Sequence, residues 1–356
     1  MQSVLVVGAG PTGLTVALEL ARQGLIPEIV EKQAVGSGLS RAVGLLPSSM
    51  EILEPSGVDE SIRKEAMVYK AAAFYVNDKL TAKVPLTEDD SPLLLGLAQD
   101  RTEALMKSAL QEYGVAVQHG VSLVSLDIEN DHAVATLCLD GTRNEVREYD
   151  LVVGADGVHS TVRRSLGMAF EGFDLQEPWS IADVEVEGWD TSLFSLFRLS
   201  RGKVVVVAPV EPQRVRVISN TADAISAVPV PMTIVKTLNE GVFNISVRQV
   251  KQYNYGPVYL AGDAAHCHSP AGGRGMNLGI ADAADLAHRI IHNELEGYDA
   301  ARHSAGRETI ALSERTRRAM TTRNVLYRMQ ITTMIGVLSR NRIFRDRMIG
   351  RMLAMS

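Results

Sequence analysis

Val4-Leu5-Val6-Val7-Gly8-Ala9-Gly10-Pro11-Thr12-Gly13-Leu14 is the stretch on which the fold turns. The β-branched run has the composition of a strand covered on both faces, and Leu14, Ala17, Leu18 and Ala21 then recur at helical spacing. This is strand, glycine turn, helix. Such a turn needs Gly8 for its backbone angles, Gly10 so that a pyrophosphate can approach the main chain, and Gly13 so that the helix can pack closely on the strand. With Pro11 and Thr12 inside the same turn, these are candidate cofactor-binding residues. Pro27-Glu28-Ile29-Val30 reads as the next strand, ending in Glu31 and followed by Lys32. Glu31 falls 18 residues past Gly13, close to the ~20 expected of a carboxylate that accepts ribose hydroxyls. A carboxylate there repels a 2′-phosphate, so the turn suits FAD or NAD better than NADP.

The whole chain fits a folded protein of about two domains: 356 residues, 46% hydrophobic and 22% charged. A formal charge of −6 gives nucleic acid no general attraction. Two cysteines, Cys138 and Cys267, make no disulfide framework, so a reducing, cytoplasmic setting is expected. No signal peptide and no membrane span are expected either, because the apolar start runs directly into the glycine turn and no apolar stretch nears ~18 residues.

Two later segments repeat the strand-then-turn pattern. Tyr149 to Gly154 runs into Ala155-Asp156-Gly157, then Val158-His159-Ser160-Thr161-Val162-Arg163-Arg164. Pro257 to Ala261 runs into Gly262-Asp263-Ala264-Ala265-His266, and Ser269-Pro270-Ala271-Gly272-Gly273-Arg274-Gly275-Met276-Asn277 opens a helix through Leu286. Asp263 could accept hydrogen bonds from a polyol, and the glycines at 272, 273 and 275 remove side chains where a planar ring must lie against the backbone. The first amides of the following helix are free donors at its positive end, suited to negative charge on a reduced flavin.

In this order the three segments resemble the FAD-dependent aromatic hydroxylases, the p-hydroxybenzoate hydroxylase-like single-component monooxygenases. The resemblance implies an α/β fold: a Rossmann-like FAD-binding domain of the glutathione-reductase (GR2) type, an inserted antiparallel-sheet substrate domain, and a helical C-terminal segment. It implies that Glu31 holds the adenosine ribose, that Arg41 lies by the pyrophosphate, and that Gln99 lies near the ribityl chain. Asp156, Asp263, Pro270, Gly273, Gly275, Met276 and Asn277 complete the FAD set, and His159 and Arg163 would meet the nicotinamide cofactor. The implied reaction uses FAD, NAD(P)H and O2 to hydroxylate an aromatic or polyketide-like small molecule through a flavin C4a-hydroperoxide. An FAD-dependent reductase without oxygen insertion, and an FAD-binding scaffold with little turnover, stay open. The residues name no general base; Tyr75, His268 and Arg198 are possible pocket residues. Adjacent His266-Cys267-His268 has no spaced partners for zinc, so no metal is expected.

The FAD-binding domain is expected to be discontinuous, over 1–70, 95–168 and 250–310, with a shortened β-sheet substrate domain from 71–94 and 171–249. Between Thr221 and Phe243 one short stretch replaces a longer region, which could leave the flavin more open to water. From Arg315 onward ten arginines face a single acid, Asp346. The apolar spacing of Leu326, Met329, Ile331, Met334, Ile335 and Leu338 suggests a basic amphipathic helix in the 311–356 segment. Folding back on the acidic body is expected over contact with an anionic membrane.

Overall fold

The computed structural model describes residues 2–34, 42–88 and 91–341. Val4–Val7, buried throughout, pairs in parallel with Glu28–Glu31 on one side and Leu151–Gly154 on the other. Val258–Leu260 continues the parallel sheet beyond Leu151–Gly154, with Asn254–Tyr255 antiparallel at that edge and Gln118–His119 at the opposite one. Parallel strands must be covered on both faces, and this dictates where the helices go. In chain order the helices of the described residues are α1 (Pro11–Arg22), α2 (Pro47–Leu53), α3 (Val58–Glu65), α4 (Gln99–Glu112), α5 (Thr161–Ser165), α6 (Gly275–His292), α7 (Tyr298–Thr321) and α8 (Val325–Arg340). Helices α1 and α6 touch backbone to side chain. A Cβ on Gly279 would lie 2.3 Å from Thr12 Oγ1, so only glycine allows that approach.

The second large sheet has seven strands, in the order Thr233–Phe243, Trp179–Glu187, Arg214–Ser219, Val204–Glu211, Leu193–Arg198, Ala71–Val76 and Lys79–Pro85. Its neighbours are antiparallel except for Leu193–Arg198 and Ala71–Val76, which run parallel. The short stretch between Thr221 and Phe243 contains the eleven-residue edge strand Thr233–Phe243. On one face Val184, Phe197, Val205, Val207, Val215 and Val217 form a closed core. On the other, Val204 and Ile218 pack with Ile310 and Met320 of α7. That second face looks toward the nucleotide-binding part, because Arg216 reaches across to donate to the Ala42 carbonyl at 2.9 Å.

Helix α8 lies against the edge strand Lys79–Pro85, which carries Lys79 and Lys83 where docking on the acidic body was expected. Among the described residues Arg323 pairs with Glu177 at 3.1 Å, and the arginines at 342, 345, 347 and 351 lie outside the described residues. No helix among the described residues is long and apolar enough to cross a membrane.

Candidate functional site: three turns at the sheet's carboxyl edge

The first turn behaves as its glycines require. Gly8 has φ +104°, and a Cβ on it would lie 2.5 Å from the Ala155 carbonyl oxygen. A Cβ on Gly13 would lie 1.9 Å from the Gly8 oxygen. Gly10 has nothing within 4 Å of its Cβ position, so open space faces the main chain there. Pro11 starts α1, where a missing N–H leaves no bond unmade. Glu31 Oε2 accepts from the Ala9 amide and Oε1 from the Gln33 amide, each at 3.0 Å, which fixes the carboxylate beside the turn. Lys32 is exposed.

The second turn abuts the first. The Ala155 amide donates to Val7 at 2.9 Å, and Asp156 Oδ2 accepts from the Thr161 and Val162 amides at the start of α5. Its other oxygen, Oδ1, is buried without a hydrogen-bond partner. Burial pushes the Asp156 carboxyl up, against Ser160 and those two amides. His159 is exposed, but Arg163 is not. The Arg163 guanidinium donates to the carbonyls of Ala264 and Val158 at 2.8 Å and lies 3.9 Å over the Phe170 ring. Arg163, 5% exposed, therefore joins the second turn to the third from inside.

The third turn follows Val258–Leu260. The Ala261 amide donates to Gly154, Gly262 takes φ +60°, and Asp263 is exposed with no side-chain partner among the described residues. Beneath it Asp282 of α6 is fully buried. Its Oδ2 accepts from the Gly262 amide at 2.9 Å and lies 2.5 Å from His266 Nε2; its Oδ1 accepts from Arg302 of α7 at 2.7 Å. Burial works to raise the Asp282 carboxyl, yet His266, Arg302 and the Gly262 amide hold it below the ordinary carboxylate value. His268 is tied elsewhere, its Nδ1 to Ser269 and Ser313, and burial pushes its imidazole down. The neighbouring histidines thus serve different partners.

The glycine loop then enters α6. The Pro270 carbonyl accepts from the Gly273 amide at 3.0 Å, and the first backbone bond of the helix is from Leu278 to Arg274, so the amides of Gly275, Met276 and Asn277 precede the ladder. The Asn277 side chain is fully employed within the protein. Its oxygen accepts from the Leu46 amide and the Ser49 hydroxyl, and its nitrogen donates to Gly44 and Gly273. Gln99, first residue of α4, donates to Glu103 at 2.8 Å and accepts from the Ala42 amide at 3.4 Å. Arg41 lies outside the described residues. Tyr75 stacks on Phe197, with ring centroids 4.4 Å apart.

These residues suit an extended dinucleotide. Gly10 and Gly273 leave room against the backbone, Asp156 Oδ1 is a buried acceptor without a hydrogen-bond partner, the amides of Gly275 to Asn277 precede the α6 ladder, and Asp263 is exposed. Sequence reasoning missed Asp282 and Arg302, which hold the third turn from beneath, and Ser313, which holds the start of the glycine loop through the Ser269 and Ala271 carbonyls. One signal was available: Asp282 stands four residues from both Leu278 and Leu286, on the apolar stripe of α6.

The fold and the three turns define a flavin-nucleotide-binding α/β protein. A model of the FAD binding domain family matches residues 1–229 and 209–323, and the chain belongs to that family, the FAD-dependent aromatic hydroxylases. Among curated relatives it is 30% identical over 320 residues to a flavin-dependent monooxygenase of Mycobacteroides abscessus, covering 81% of this chain and 67% of the relative. It is also 30% identical to pentachlorophenol 4-monooxygenase of Sphingobium chlorophenolicum, covering 81% of this chain and 58% of that one. The chain thus spans between about half and two thirds of the length of these relatives; for 6-methylpretetramide 4-monooxygenase of Streptomyces rimosus the share is 55%. The crystal structure of p-nitrophenol 4-monooxygenase from Pseudomonas putida superposes with a TM-score of 0.89 at 23% identity, over 99% of both chains, which shows the shared fold.

Proposed function

We propose that this chain is an FAD-dependent monooxygenase that uses NAD(P)H and O2 to hydroxylate an aromatic or polyketide-like small molecule. One observation carries the reading: three turns, 8–13, 155–157 and 262–264, follow adjacent parallel strands at the same edge of one sheet, whose ends are joined by the Ala155 amide to Val7 and the Ala261 amide to Gly154. Ligands of such sheets bind outside the carboxyl ends of the strands. The relatives named above as monooxygenases support the reaction class.

Bound FAD would supply the redox chemistry. One atom of O2 enters the product, and the other leaves as water with the two electrons of NAD(P)H and a proton. The chain's own residues bind and orient. The 8–13 turn takes the pyrophosphate, Glu31 the adenosine ribose, and Asp263 the polyol. Gln99 stands beside that path, with Lys32 exposed at its outer end. The amides of Gly275 to Asn277, at the positive end of an 18-residue helix, stabilise negative charge on the reduced ring. His159 is the exposed candidate for the nicotinamide cofactor. The seven-stranded sheet, tied down through Arg216 and Ala42, shields the reacting face from water.

Turnover under 18O2 tests the reading. Label in the product, with NAD(P)H consumed in proportion, supports it. Tightly coupled NAD(P)H consumption without label points to a reductase and overturns it, as does a purified protein that takes up no FAD.

A further inference from the structure

Large apolar side chains are exposed singly over most of this surface, with one exception. Among the described residues sixteen are exposed, and six of them lie on the single helix α8: Val325, Leu326, Tyr327, Met329, Met334 and Val337. Asn324 caps that helix, its side-chain oxygen accepting from the Tyr327 amide at 3.1 Å. The inward face is held by the protein. Arg198 of the seven-stranded sheet donates to Thr332 Oγ1 at 3.3 Å, and Arg328, Ile331, Thr332 and Ile335, spaced by threes and fours, are half-buried. Leu326, Met329, Thr333 and Val337 repeat that spacing on the side facing away, where Leu326 is 72% and Met329 63% exposed. A helix on a water-facing surface carries polar residues there.

The charges around this face have mainly one sign. The 16 residues of α8 contain no acid, and Arg340 is exposed at the helix end. Arg323, exposed just before the helix, pairs with Glu177, and the strand that α8 lies against exposes Lys79 and Lys83 beside Asp78 of the preceding turn. From Arg315 onward the sequence holds ten arginines and one acid. Two copies of the chain meeting through this face would bring cations to the rim of the contact, with no carboxylate on α8 to answer them. An anionic bilayer answers both features: its acyl boundary takes the apolar side chains, and its headgroups take the arginines and lysines. We propose that the outward face of α8 is a docking surface for an anionic lipid bilayer, with the helix lying in the headgroup plane and the seven-stranded sheet behind it. At 16 residues the helix is shorter than the ~20 needed to span, so it rests on the bilayer without crossing. This reverses the expectation from sequence, because the inner face rests on a lysine-bearing strand and leaves the apolar outer face exposed.

Co-sedimentation of the full-length holoprotein with vesicles tests this, with phosphatidylcholine alone set against an equimolar mixture with phosphatidylglycerol. Partitioning onto the anionic vesicles should exceed that onto the neutral ones by about tenfold or more, and should fall as salt is raised. The double substitution Leu326→Gln with Val337→Gln should lower it by about tenfold or more. Both side chains are exposed, so the melting temperature of that variant should match the parent. Met329→Glu, which sets an acid in the middle of the face, should lower partitioning as far and carries the test alone if the double variant does not fold. No partitioning onto anionic vesicles, equal partitioning onto neutral ones, or partitioning unchanged in these variants overturns the proposal. So does a dimer, measured by light scattering without lipid, that the same substitutions turn into a monomer, because the face then belongs to a second copy. A yellow protein that ignores vesicles loses this surface and leaves the proposed function standing.

Discussion

His266 and Asp282 meet inside the protein, Nε2 2.5 Å from Oδ2, both shut away from solvent, directly under the turn that carries Asp263. The turn that carries the exposed Asp263 is therefore held by a buried carboxylate from α6. Asp282 also holds Arg302, so three elements meet at one side chain: the 262–264 turn, α6 and α7.

Removing that hub leaves an unpaired guanidinium and an unpaired amide in the interior. Asp282→Ala should cost about 3–5 kcal/mol of unfolding free energy, the range for breaking a buried ion pair from one side. Urea unfolding measures it. A loss under about 1 kcal/mol would mean that the cluster is not structural.

Acid should weaken the fold through the same groups. Asp282 and Asp183 both have folded-state values below their ordinary one; burial opposes the shift in each case, and their cationic partners outweigh it. Between the folded value and the unfolded value of about 3.9, the unfolded chain binds more protons, so stability is complete above about pH 5 and falls as pH drops below about 4. Urea midpoints from neutral to acid pH at constant ionic strength should show the decline. A flat profile through that window would contradict it.

The glycines of the first turn should separate fold from ligand. Gly13→Ala drives a Cβ to 1.9 Å from the Gly8 oxygen and should disrupt the turn, lowering the melting temperature and removing flavin together. Gly10→Ala meets no protein atom within 4 Å. It should leave the apoprotein within about 1 kcal/mol of the parent while lowering flavin affinity, because its methyl enters the space for the pyrophosphate. Unchanged flavin absorbance in purified Gly10→Ala would remove the 8–13 turn from the site.

Asp263→Ala should behave as a ligand variant too. Its carboxylate is exposed and bonds to nothing described, so stability should move by no more than about 0.5 kcal/mol. Flavin occupancy after gel filtration should drop. Full retention would count against Asp263 as a polyol ligand.

Much of this was legible in one dimension, because the signals are local. A glycine turn between an apolar strand and a helix identifies itself within ten residues, and Gly8 and Gly13 stand where a Cβ would collide with backbone while Gly10 faces open space. Ala71–Val76 and Lys79–Pro85 flank the turn residues Asn77-Asp78, and the strands Leu193–Arg198, Val204–Glu211 and Arg214–Ser219 are apolar or β-branched runs between turn residues, so their signal is local too. Arg163 was not legible. A cation on a short helix after a turn reads as solvated, and only the approach of Ala264 and Phe170 makes it interior.

The sequence by itself determined the parallel sheet, the three turns and the nucleotide they suit, because strand alternation, helix spacing and glycine geometry act over a few residues. The tertiary structure alone decided which charges meet: Asp282 with His266 and Arg302, Asp183 with Arg216, and Arg198 with no acid among the described residues. Those partners lie between 16 and 33 residues apart along the chain. A buried charge is governed by its nearest neighbours in space, which nothing in the local order of residues specifies.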